Sequence, residues 1–121
     1  MPRSHTTNSE VKKNNRNRIF RYICRHGQVS NPDIAYALQL SLPTVLQNTR
    51  ELMSQGLVEE KGEMDSTGGR KAKALTAAAD AILALGLDIT RNHTAFLLTN
   101  LTGDILKHQR IRMPFANERR Y

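Results

Sequence analysis

The sequence predicts an α+β chain in which three helices and a β-hairpin are followed by a three-strand antiparallel β-meander. Three observations lead to this fold class. Apolar residues recur at helical spacing in three successive stretches before residue 56, each with capping or terminating residues at its ends. Two short alternating runs then flank a polar, glycine-containing loop at 62–69. Beyond residue 82 the apolar positions alternate as they do in strands, with turn-forming residues between the runs.

Residues 1–10 are polar and are expected to be a disordered tail. From about Val11 to His26, the positions Ile19, Phe20, Ile23 and Cys24 have helical spacing, and Gly27 ends the run. Ser30, Pro32 and Asp33 open a second helix. Serine caps it, proline sits in the first turn where its missing N–H costs little, and aspartate completes a capping box. This helix runs to about Leu38, with Ile34, Ala35 and Leu38 inward, and at two turns it needs neighbours to hold it.

Gln39-Leu40-Ser41 is a tight break, after which Ser41 caps a third helix from Leu42 to Gln55, closed by Gly56. On a helical wheel Leu42, Val45, Leu46, Thr49, Leu52 and Met53 share one arc. Pro43, Thr44, Gln47, Asn48, Arg50 and Glu51 share the other. The first arc is read as core, and the second offers hydroxyl and carboxamide groups to a partner.

Strands are expected at 57–61 and 71–76, and residues 77–81 form an alanine-rich linker. In the meander Leu83, Leu85, Leu87 and Ile89 alternate, then Phe96 and Leu98, then Ile105, Ile111 and Met113. Thr90–His93 and Thr102–Asp104 supply the turns. The organisation is thus a tail at 1–10, a first domain at 11–76, a linker at 77–81 and the meander within 82–121.

Composition narrows the function classes. The 121 residues carry 18 Lys/Arg against 11 Asp/Glu, a formal net charge of +7, with one cysteine. No apolar run is long enough for a membrane span, no glycine period suggests collagen, and a lone Cys24 makes no disulfide framework. The polar N-terminus lacks a signal-peptide core, and a reducing cytosol is the expected location with no membrane partner. The charge is uneven: residues 1–27 hold seven Lys/Arg against one Glu, a net +6, whereas 28–60 carry a net −3. Such an excess attracts phosphate or simply faces water, and the helices decide between these readings.

Short helix, tight turn, polar-faced third helix and hairpin, in that order, describe a winged helix-turn-helix. Helix 42–55 is expected in the major groove of double-stranded DNA, reading its sequence, and the wing 62–71 in the minor groove. Gln47 or Asn48 suits a bidentate pair with adenine, and Thr44 a base or phosphate. Pro43 and the Thr44 methyl suit a thymine methyl, and Arg50 lies on the same arc. Asn31 and Ser41, at helix N-termini, suit phosphate. In the wing Thr67, Gly68, Gly69, Arg70 and Lys71 form the contact, with glycines allowing close approach and Arg70 suited to a narrow groove at A·T-rich flanks. No cofactor or metal is expected, since His5, His26, His93 and His108 lack ligand spacing.

Residues 15–76 resemble the DNA-binding half of the ROK-type transcriptional repressors. The likeness rests on Asn17-Arg18, Val29-Ser30-x-x-Asp33-Ile34-Ala35, Leu40-Ser41-x-x-Thr44-Val45, Gly56-Leu57-Val58 and Ser66-x-Gly68-Gly69-Arg70-Lys71-Ala72. Leu85-Gly86-Leu87-Asp88-Ile89 and Asn100-Leu101-x-Gly103-x-Ile105 are similar to the first strand and first hairpin turn of that family's actin-like sugar-binding domain. The resemblance implies a repressor of sugar uptake or catabolism genes. It also implies that the meander is a truncated actin-like domain, without the sugar-effector site or the zinc motif. The loop Asp88–Thr94 has no glycine where kinase members cradle ATP, so no enzyme activity is expected. An uncovered meander would expose an apolar face, which favours a homo-oligomer or partial disorder. The rival readings are a protein-interaction adaptor and a non-regulating fragment of a ROK sugar kinase or repressor.

Overall fold

The computed structural model describes residues 7–65 and 71–114, and the chain divides into two compact units, Met1–Ala78 and Ala79–Tyr121. Described elements run α1 (Asn8–His26), α2 (Asn31–Leu38), α3 (Leu42–Ser54), β1 (Val58–Glu63), β2 (Lys73–Ala77), β3 (Leu83–Ile89), β4 (His93–Asn100) and β5 (Ile105–Arg112). The first unit is a winged helix-turn-helix and the second a small antiparallel sheet, as the sequence predicts.

Helix α1 begins three residues before the expected Val11. The reason is a capping box: the Thr7 N–H donates to Glu10 Oε2 at 2.8 Å, and the Glu10 N–H donates to Thr7 Oγ1 at 3.2 Å. Residues 8–10 are therefore helical rather than tail, and 1–6 lie outside the described residues. Ile19 and Ile23 of α1 are fully buried, and Gly27, at φ 75°, ends the helix.

Helix α2 has only eight residues and could not persist alone. Ser30 and Asp33 form the expected capping box, and Ile34 is fully buried, which contributes about 2 kcal/mol. At its far end Gln39 takes a left-handed φ of 56°. The N–H of Gln39 returns to Tyr36 O, and that of Leu40 to Ala35 O. These two bonds make a Schellman ending, which turns the chain sharply into α3. The Arg18 guanidinium donates to Leu38 O at 3.0 Å and satisfies another end carbonyl. Helix α3 closes the same way, with Gly56 N–H to Met53 O and Leu57 N–H to Leu52 O.

Strands β1 and β2 pair antiparallel with Val58 opposite Ala77 and Glu60 opposite Leu75. The register shifts between Glu60 and Glu63, where Gly62 has φ 76°. Strand β1 reaches two residues beyond the expected Lys61, because backbone pairing carries it on through side chains that all face solvent. The base of the hairpin is pinned to the α1–α2 loop: Val29 and Leu75 exchange both backbone hydrogen bonds, at 3.0 and 2.7 Å. Val29, Val58, Ala74, Leu75 and Ala77 are buried with the helix residues, so one core serves helices and wing.

The second unit is the expected meander, in the order β3-β4-β5. Leu85 faces Leu98 and Leu87 faces Phe96 across the ladder. Leu85, Leu87 and Ile89 are 62, 64 and 73% exposed, so their face of the sheet has no cover among the described residues. The β4–β5 turn is closed by side chains. Asn100 Nδ2 donates to Asp104 Oδ2 at 3.0 Å, Thr102 Oγ1 donates to the same oxygen at 2.8 Å, and the Asp104 N–H donates to Asn100 Oδ1.

Two outcomes test this account. Ser30→Ala should lower unfolding stability by about 1 kcal/mol, read by denaturant melts, because it strips the α2 cap. Hydrogen bonds from Asn100 and then Thr102 hold the Asp104 carboxyl below its ordinary value. The stability that this gives the turn is present above the ordinary carboxylate pKa and is lost as pH falls through the depressed one. A carbon-detected NMR titration should place the Asp104 midpoint below that of exposed aspartates.

Candidate nucleic-acid interface

The site is built around α3, which is held by one side only. Ser41 caps it: Oγ accepts from the Thr44 N–H at 3.4 Å and shares a hydrogen bond with Thr44 Oγ1 at 2.8 Å. Val45, Thr49 and Leu52 are buried toward the core. Directly opposite, Pro43, Gln47, Arg50 and Ser54 are exposed, and their spacing of three and four residues makes a continuous ridge. Among the described residues, neither the Gln47 carboxamide nor the Arg50 guanidinium has a hydrogen-bond or ion-pair partner. Both are free to meet a ligand.

The wheel read from sequence is rotated relative to this arrangement. Asn48, expected on the outward arc, is 6% exposed, and its Nδ2 donates to Thr44 O at 2.8 Å. Leu42, expected in the core, is 42% exposed. The cause is the position of α1, which packs on the Asn48 side of α3 and turns the buried face toward it. A buried carboxamide bonded to its own helix is satisfied, and nothing forces it outward. Thr44 is half-buried with its hydroxyl engaged by Ser41, whereas Ser41 itself and Pro43 are exposed.

Asn31 is half-buried at the start of α2. Its Oδ1 accepts from Thr49 Oγ1 at 3.0 Å, which locks the first turn of α2 to α3. Lys71 is exposed beside the wing, its Nζ 3.9 Å from Glu63. Thr67, Gly68, Gly69 and Arg70 lie outside the described residues. Asn31, Leu42, Leu46 and Lys71 line a groove of about 420 Å³ on the wing side of α3.

A second groove, of about 200 Å³, runs along the other side of α3. Asn8, Lys12 and Asn15 of α1 line it opposite Thr44, Gln47 and Glu51. The outward-arc reading included none of these α1 residues, because it was confined to α3; Asn8 also preceded the expected start at Val11, where the signal present was the Thr7-x-x-Glu10 box. Just beyond, Arg16 forms an ion pair with Glu51. Cys24 is a half-buried free thiol whose pKa burial raises, so it behaves as a small apolar group rather than a nucleophile. Among the described residues no group of His, Cys, Asp and Glu is placed to hold a metal, and no helix is long and apolar enough to cross a membrane.

Residues 13–59 match the family described as winged helix-turn-helix DNA-binding. Over 104 residues the chain is 30% identical to the DNA-binding transcriptional dual regulator NagC of Escherichia coli K12. In fold it matches the crystal structure of a ROK family transcriptional regulator, a homologue of the E. coli MLC protein, with TM-score 0.64 and 23% identity. The chain is similar to the winged helix-turn-helix part and first strands of the ROK-type regulators. The likeness to NagC covers 86% of this chain and 26% of NagC. A xylose repressor of Bacillus spizizenii is 29% identical over 99 residues, covering 82% of this chain and 26% of the repressor. The structural match covers 85% of this chain and 26% of its counterpart. The chain thus spans about a quarter of the length of the ROK regulators it matches.

The ridge and the buried carboxamide separate two kinds of substitution. Gln47→Ala should leave the melting temperature unchanged and relax preference at one base position, read by selection from a random duplex pool. Asn48→Ala should lower stability by about 1 kcal/mol and leave the selected sequence unchanged.

Proposed function

We propose that this chain binds double-stranded DNA in a sequence-specific way, as the DNA-binding part of a bacterial repressor of sugar uptake or catabolism genes. The observation that carries the reading is the exposed Pro43–Gln47–Arg50 ridge on a helix whose opposite face is buried. A helix held this way presents side chains of fixed direction to base edges, and a glutamine there suits the paired donor and acceptor of adenine. Pro43, Thr44 and Arg50 accompany it in the major groove, with Asn31 and Ser41 at phosphates. Asn48 acts by holding the helix rather than by touching a base.

The wing, with Thr67, Gly68, Gly69, Arg70 and Lys71, follows the minor groove, where arginine favours A·T-rich flanks. Relatives named as repressors of N-acetylglucosamine and xylose systems support a sugar-linked operon as target. The meander resembles the first strands of an actin-like effector domain, and its open apolar face suits a homo-oligomer. The protein works without catalysis, in the cytoplasm at the nucleoid.

Fluorescence anisotropy with a duplex selected from a random pool tests the reading. Affinity should fall steeply with salt, with a log–log slope of about −0.9 for each phosphate neutralised, and non-selected duplexes should bind at least roughly a thousandfold more weakly. Salt-insensitive binding, or equal affinity for every duplex, would overturn it in favour of a protein-binding adaptor.

A further inference from the structure

We infer that Arg16 is a positioning residue for DNA recognition: it holds and neutralises the Glu51 carboxylate, which would otherwise repel the duplex beside the reading ridge. The inference rests on the DNA-binding reading above. Glu51 is the sole acidic residue of α3. It stands one turn beyond Gln47 and lines the same groove as Thr44 and Gln47. A bare carboxylate at this place would meet a polyanion at a separation comparable to the screening length, about 10 Å in 0.1 M salt.

The neighbouring Arg50 faces another way and makes no ion pair with Glu51 among the described residues. The cancelling charge comes instead from α1. Arg16 is ion-paired with Glu51, with side chains 27 and 46% exposed. A pair this exposed adds little to folding stability, and α1 and α3 are already joined through their buried faces. Its effect is therefore on what approaches α3. The same pair engages the glutamate from the α1 side, and among the described residues the Gln47 carboxamide keeps no partner.

The test compares four variants of the whole chain on the selected duplex, with melting temperatures measured in parallel. Arg16→Gln should weaken binding about three- to tenfold at 0.1 M salt. Glu51→Gln alone should bind at least as well as the unsubstituted chain. The double variant Arg16→Gln with Glu51→Gln should recover the original affinity. Arg16→Gln with Glu59→Gln has the same net charge and should not recover it, which separates local masking from overall charge. A double variant as weak as Arg16→Gln alone would make Arg16 a direct phosphate contact and overturn the inference. Loss of preference at one base in Glu51→Gln would also overturn it, by making the glutamate a reader of bases. An Arg16→Gln variant that binds normally would sink the masking role while leaving the DNA-binding reading intact. An unsubstituted chain that binds no duplex would overturn both.

Discussion

Everything in the first unit depends on burying α3 along one side. A helix of 13 residues has too few internal hydrogen bonds to stand alone in water. Its order comes from Val45, Thr49 and Leu52 entering a core shared with Ile19, Ile23, Ile34 and Leu75. Because that core takes one face only, the opposite face must stay polar and uncovered. The exposed ridge is thus the geometric remainder of the packing: whichever residues the core does not claim become available. Thr49 shows how closely the two are joined. Its hydroxyl sits in the interior and holds Asn31, so the same contact packs α3 and orients the start of α2.

Most of the architecture was legible because it is written in local chemistry. Ser30 with Asp33 and Ser41 before Pro43 mark helix starts by side-chain hydrogen bonds that only certain residues can make, and Gly56 marks an end by a positive φ that favours glycine. The alternation of Leu83, Leu85, Leu87 and Ile89 marks a strand for an equally local reason. The direction in which α3 faces was less legible. A wheel with Leu42, Leu46 and Met53 on one flank and Asn48 on the other fits more than one rotation, and the partner helix chooses among them. Apolar character alone favoured Leu42 for the interior; the approach of α1 put Asn48 there instead. The early start of α1 was written in Thr7 and Glu10, ahead of any apolar position, where a search led by hydrophobic spacing does not begin.

The two units differ in how they are held. In the first, ten apolar side chains are withdrawn from water together with Ser30, Asn48 and Thr49. In the second, backbone ladders and the Asn100–Asp104 turn do the holding, while the leucines of β3 stay wet. Three hydrogen-bonded strands gain most of their stability when an apolar face is covered, and among the described residues this one is not. The first unit thus has a buried core of its own, whereas the apolar residues of β3 in the second stay exposed among the described residues.

The double hydrogen bond between Val29 and Leu75 carries a consequence for how the wing is made. It joins positions far apart in the chain, across all of α2, α3 and β1, and such closures form late because the loop entropy must be met first. The hairpin receives its bearing when its second strand clips onto the loop between α1 and α2, and the same strand supplies Ala74 and Leu75 to the core. Damage at that clip would loosen hairpin and helical core together, because the two residues that carry it are also buried among the helices.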